Sequence, residues 1–259
     1  MQKLRFLSAT ALGLCLLCLS PSLCSAWHDE THVAIAKKAG YYKWFNACGA
    51  DMAKLKAGQR EAHNHYVNNP PDRVVTPEMI MAQVEKYNQV DPGGHLYGAI
   101  IASLRDYIAE KKRGKYGEYH LAFCAHYVAD LSQPLHNTLY NSFNRKYHSR
   151  IDGIINDKVL DNLHRIKIYP IIIDSEKDLA NEIARIANLA KELGYKIGGE
   201  NRLLTREEAY TQISHSASLF KAILEYTEKV KSYTSKGRRE PNFQRPIFAF
   251  AFPVQSKGK

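Results

Sequence analysis

The stretch "HYVADLSQPLH", residues 126–136, sets both the fold class and the chemistry of this chain. His126 and Asp130 lie four positions apart, so on a helix they stand about 40° from each other and project from one face. His136 follows six positions later, behind Pro134. A proline there bends or ends the helix and re-aims the next side chain. Downstream, "HSRID" (148–152) repeats the four-residue step with His148 and Asp152. Upstream, "HNHY" (63–66) offers His63 and His65, and Asp51 stands fourteen positions before His65. His120 falls about 240° around the helix from His126 and cannot share its face.

Outward from this element the periodicity stays helical. Residues 118–133 carry the start of the stretch on one helix, and residues 96–112 place Ile100, Ile101, Leu104, Tyr107 and Ile108 at helical spacing. Residues 28–46 do so with Val33, Ala36, Tyr41 and Trp44; residues 147–166, 174–193 and 205–233 add three more helices. Thr76-Pro77-Glu78 starts another, with proline at the first position and an acid at the positive end of the dipole. That helix ends near Asn88, before Asp91-Pro92-Gly93-Gly94. Alternation of the β kind is nearly absent. The expectation is an all-α, single-domain multi-helix bundle over residues 27–235, with the histidine–aspartate cluster at one end. A basic tail, 236–259, follows; its "IFAFAF" run reads as an extended strap over the helices.

The first 26 residues read as a signal peptide. Lys3 and Arg5 precede an apolar run from Phe6 to Leu19, and Cys24-Ser25-Ala26 places small side chains at the cleavage positions. The run is short for a membrane span, which needs about 20 residues. Cleavage after Ala26 predicts a secreted or periplasmic protein that begins at Trp27. Loss of Lys3 and Arg5 lowers the net charge from +10 to +8. Such a balance suits peripheral contact with anionic membrane, nucleic acid, or plain solubility, and does not choose among them. Only Cys48 and Cys124 remain of the five cysteines, which excludes a disulfide-framework fold.

Imidazole and carboxylate are the donors zinc takes where thiolates are absent. At this point the residues carry a family resemblance. The set is similar to the superfamily of zinc-dependent phospholipases C and single-strand-specific nucleases, all-α enzymes with three zinc ions. In that family a tryptophan opens the mature chain and chelates zinc through its amine and carbonyl, which corresponds to Trp27. His32, Asp51, His65, the pattern His126-x3-Asp130-x5-His136, and His148-x3-Asp152 match the remaining ligands in order. The resemblance spans residues 27–152. It implies one zinc on Asp51, His65, His126 and Asp130, a second on His136, His148 and Asp152, and a third on Trp27 and His32 with Asp130 bridging. Spacing favours His65 over His63 for the ligand place. His28, His95, His120, His164 and His215 are left as surface or core residues.

The resemblance further implies hydrolysis of a phosphodiester by zinc-activated water, with Asp51 orienting or deprotonating that water. Substrate features point both ways. The aspartate at 152, the short Trp27–His32 spacing and "QPLH" are nuclease-like; the twelve positions from His136 to His148 and "NHYVNNP" are phospholipase-like. Phospholipase C is the first expectation, and single-strand nuclease or 3′-nucleotidase the alternative. Tyr66, Tyr140 and Phe143 would hold a choline headgroup by cation–π contact or stack bases; as single aromatic residues they equally suit helix core. A non-catalytic basic helical protein that binds membranes or a partner is the reading from a different class. The protein is expected to be a monomer. Because Asp51 and His126 share a zinc in the resemblance, the neighbouring Cys48 and Cys124 either bridge or pack as two small buried side chains.

Overall fold

The computed structural model describes residues 27–235. The signal-peptide and tail expectations, 1–26 and 236–259, lie outside the described residues. The fold is all-α, one body of helices with no strand among the described residues. Among the described residues ten α-helices run in chain order: α1 (Asp29–Lys38), α2 (Gly49–Ala57), α3 (Gln59–Ala62), α4 (Pro77–Val84), α5 (Leu96–Lys112), α6 (Glu118–Leu131), α7 (Ser142–Asp152), α8 (Asn156–Val159), α9 (Glu176–Gly199) and α10 (Arg206–Ser235). Short 3-10 turns stand at Trp44–Cys48, Pro134–Asn137 and Leu163–Arg165.

The helices start where side chains relieve unpaired amides. Thr76 and Ser175 accept from the amides of Met79 (3.4 Å) and Asp178 (3.2 Å). Thr205 and Glu208 cap reciprocally: Glu208 donates its amide to the Thr205 hydroxyl, and the Glu208 carboxylate accepts from the Thr205 amide. α5 and α6 form the central antiparallel pair. Ile100, Ile101 and Leu104 on α5 and Tyr127, Val128 and Leu131 on α6 are fully buried. Each such aliphatic side chain contributes about 1.5–3 kcal/mol on burial. α4, α9 and α10 complete this core, while Trp27, Ile35, Ile151, Ile155 and Ile213 build a second cluster around α1 and α7. Gly98 lets α5 touch α4: a Cβ there would meet the Gln83 carbonyl carbon at 2.2 Å. No described helix is long and apolar enough to cross a membrane.

Two helix bounds need correction, and the open choice at the cysteines is decided against a bridge. The helix placed at 28–46 stops at Lys38, because Gly40 turns the backbone left-handed (φ 89°) before the Trp44–Cys48 turn. The helix placed at 147–166 starts earlier, at Ser142, where the Asn141 side chain accepts the Asn144 amide (2.9 Å). It ends at Asp152, with Gly153 after it packed against the ring of His28, and up to residue 166 only α8 and a short turn follow. The cysteines do not pair. Cys48 donates to the Asp29 carbonyl (3.3 Å) and Cys124 to the Ile100 carbonyl (3.6 Å); both are free, and burial pushes each thiol up to about 12. Cys124 lies about 200° around α6 from His126, so it faces α5 rather than the ligands.

Candidate metal centre

α6 is the axis of the site. Its one-turn step puts His126 and Asp130 on the face that meets α1, α2 and the segment after α3, all at the buried level of the bundle. α1 brings His32, α2 brings Asp51, and the turn after α3 brings His65. Pro134 ends the helical course and opens a 3-10 turn that swings His136 toward α7, which carries His148 and Asp152 one turn apart. α9 locks this turn from behind. A Cβ at Gly194 would stand 2.7 Å from the Pro134 carbonyl oxygen, so only glycine permits the approach.

Donor atoms gather in three groups, each drawn within 4.8 Å: His32, His126 and Asp130; Asp51, His65 and His126; His136, His148 and Asp152. Asp130, fully buried, divides its carboxylate between the first two. Oδ1 lies 3.1 Å from His32 Nε2, while Oδ2 lies 2.9 Å from His65 Nδ1 and 3.4 Å from His126 Nε2. Asp51 Oδ1 stands 3.7 Å from His65 Nδ1 and 3.6 Å from His126 Nε2.

The outer ring nitrogens fix how the histidines point. His126 Nδ1 donates to the Ala47 carbonyl (2.8 Å), His136 Nδ1 to the His65 carbonyl (2.5 Å) and His148 Nδ1 to Asn144 Oδ1 (2.7 Å). His65 Nε2 donates to Glu61 Oε1 (3.3 Å). With those protons placed outward, the inner nitrogen of each ring is a lone pair whenever the ring is neutral. Yet His126 Nε2 and His65 Nδ1 face each other at 3.1 Å, and His136 Nε2 and His148 Nε2 at 3.0 Å. Two lone pairs at that distance repel unless a cation lies between them or beside them.

Charge tells the same story. Burial would depress His126, but Asp130 and Asp51 outweigh it and push the ring up to about 9. The two carboxylates make that nitrogen a place for positive charge, either as a proton or as a metal ion on its lone pair. Burial leaves His136 down at about 4 and pushes Asp152 well above the usual carboxylate range. Burial also raises Asp51, but His126, Lys54 and His65 together hold it below the ordinary range, with the Lys54 ammonium 2.5 Å from Oδ1. Asp51 Oδ2 and Asp152 Oδ2 have no hydrogen-bond partner among the described residues. Buried imidazoles and unpartnered carboxylate oxygens, with no thiolate, fit zinc.

All the ligand candidates from 32 to 152 therefore meet in one region. His63 does not join them: its Nδ1 accepts the Asp91 amide (2.8 Å), and His65 takes the place. Trp27 is fully buried, and the next residue's amide donates to the Asp152 carbonyl (3.4 Å), which brings the start of the domain against the end of α7. The cluster floors a cleft of about 610 Å³ lined by Leu55, Tyr66, Leu135 and Tyr140 together with His65, His136 and His148. Phe143 is not on that lining; it packs on Tyr147 and over Gly198 in the second core cluster.

Sequence reading missed the residues that hold the ligands. Glu61 backs His65 and accepts from Tyr127 (2.5 Å) and Asn64 (3.2 Å). Gln133 donates to Asp152 and accepts from the Leu135 and His136 amides. Asn144 both receives His148 and donates to the Leu135 carbonyl (2.8 Å). One signal was present: Glu61 precedes His65 by four, the same step as the ligand pairs. No family model matches the chain, and no curated protein matches it.

Proposed function

We propose that the chain is a zinc-dependent phosphodiester hydrolase, phospholipase C-like in the first reading and a single-strand nuclease or nucleotidase in the second. The observation that carries it is the pairing of inward lone-pair nitrogens around a carboxylate whose two oxygens serve different donor groups. His65, His126, Asp51 and Asp130 would hold one ion, His136, His148 and Asp152 a second, and His32 with Asp130 and the Trp27 backbone a third. When bound, zinc ions supply Lewis acidity, polarising phosphoryl oxygens and bringing coordinated water to a pKa of about 7.

The chain's own residues do the rest. Asp51 stays ionised beside Lys54, and its second oxygen is available to accept a hydrogen bond from a water molecule and orient it. Gln133, Asn144 and Glu61 keep the ligand rings and carboxylates in place, so little reorganisation accompanies reaction. Leu55, Ala62, Tyr66 and Tyr140 give the non-reacting part of a substrate an apolar wall. The test uses protein cleaved before Trp27 and saturated with zinc. Phosphocholine release from phosphatidylcholine vesicles and nucleotide release from single-stranded DNA are measured side by side. Lipid turnover alone supports the phospholipase reading, DNA turnover alone the nuclease reading, and turnover of neither refutes both.

A further inference from the structure

The rim of the cleft has a composition of its own. On α2 Asp51 and Lys54 turn inward, while Met52 and Leu55, about 100° further round, are each 65% exposed, with Lys56 beside them. Leu55 stands at the cleft mouth, and Tyr140 borders the same cleft with Leu139 next to it, exposed by 48% and 41%. The charges around these side chains have one sign. Beside the cleft-lining residues, Lys56, Arg60 and Arg145 are exposed, while Glu61 is buried under His65; Lys146 and Arg150 stand over the Tyr147 ring, on the side of α7 turned from the cleft. The Arg145 guanidinium lies over the Tyr140 ring (5.6 Å).

From this juxtaposition we infer that the cleft rim is a docking face for an anionic phospholipid bilayer. The proposal rests on the hydrolase reading above for its purpose, though not for its geometry. The cations answer lipid phosphates at headgroup level, each adding to an attraction that falls off within a Debye length. Met52, Leu55 and Leu139 then enter the acyl boundary, as the apolar face of an interfacial helix does. A nucleic acid answers the same cations, but aliphatic side chains neither stack on bases nor hydrogen-bond to them, so their exposure beside the cations favours lipid. Seated this way, the chain places the metal cleft directly over headgroup phosphates.

Co-sedimentation of the zinc-loaded protein with sucrose-filled vesicles tests the inference without reading catalysis. Vesicles of phosphatidylglycerol are expected to bind the chain, vesicles of phosphatidylcholine to bind it weakly, and added salt to release it. Met52→Asp and Leu55→Asp should each weaken partition about tenfold, the loss expected for one largely buried aliphatic side chain. Arg145→Glu with Lys56→Glu should do the same, whereas Lys177→Glu on α9 should change nothing. Partition insensitive to Met52→Asp and Leu55→Asp overturns the lipid face. Binding to single-stranded DNA that falls only with the arginine and lysine variants would reassign the rim to nucleic acid. Vesicle binding through this face without phosphodiester turnover would remove the hydrolase reading and leave the docking face standing.

Discussion

Glu61→Gln isolates the support of one ligand from the ligand itself. The carboxylate is 3% exposed and has three donors: His65 Nε2 at 3.3 Å, Tyr127 hydroxyl at 2.5 Å and Asn64 Nδ2 at 3.2 Å. Burial would raise its pKa, yet His65 and Tyr127 hold it below the usual range, so it is an anion behind the imidazole. Glutamine keeps the volume and one acceptor oxygen. It removes the charge that makes His65 a stronger donor, and its amide nitrogen meets Asn64 Nδ2, donor against donor. Loss of such a supporting hydrogen bond costs metal sites about 10–100-fold in affinity, which is about 1.4–2.8 kcal/mol. The clash leaves a buried donor unsatisfied and costs the fold about 1–3 kcal/mol more. Competition with a chromophoric zinc chelator reads the affinity, and ¹⁵N imidazole shifts read the tautomer. Wild-type affinity, with His65 still protonated on Nε2, would refute the argument.

Three further outcomes follow from other parts of the structure. Asp130→Asn weakens both groups that share this carboxylate, so metal content after dialysis should fall by two ions and leave the His136–His148–Asp152 group loaded; an unchanged content would show that Asp130 does not bridge. Glu176→Gln breaks the buried pair in which Arg105 donates through Nε (2.6 Å) and Nη2 (2.8 Å), and urea unfolding should show a loss of about 3–5 kcal/mol; a loss under 1 kcal/mol would contradict this. Burial lowers His95 to about 4, so the folded state keeps it neutral. The unfolded chain protonates first, and this contribution to stability, complete above about pH 6.5, is lost as pH falls toward 4. His95→Gln should flatten that part of the stability profile, and a slope identical to wild type would refute the assignment.

How much of this was legible in the sequence follows from what periodicity encodes. The pairs His126–Asp130 and His148–Asp152 were readable because a four-residue step is a local property of one helix. α5 was readable for the same reason, with its five apolar positions on one stripe, and its bounds agree with the structure. The end at Gly153 was passed over because Ile155, Val159 and Leu163 continue a helical spacing beyond it. α2 and α3 were missed because Gly49, Gly58 and scattered lysines give no apolar stripe. The pairing of Cys48 with Cys124 failed on rotation: proximity to ligands in sequence says nothing about which side of α6 a residue faces. Glu61, Gln133 and Asn144 stayed hidden because their roles exist only after distant segments meet. The choice of His65 over His63 rested on spacing alone, and the structure supplies the reason, a His63 ring turned to the Asp91 amide.

The measurement that bears most directly on the metal centre is the metal content of the chain prepared with Trp27 as its first residue, after exhaustive dialysis against metal-free buffer. Close to three zinc ions per chain are predicted, and a chain carrying one extra residue ahead of Trp27 should retain two, since its terminal amine is displaced from the ligand position. Fewer than one ion per chain in the correctly cleaved protein would contradict the metal centre itself.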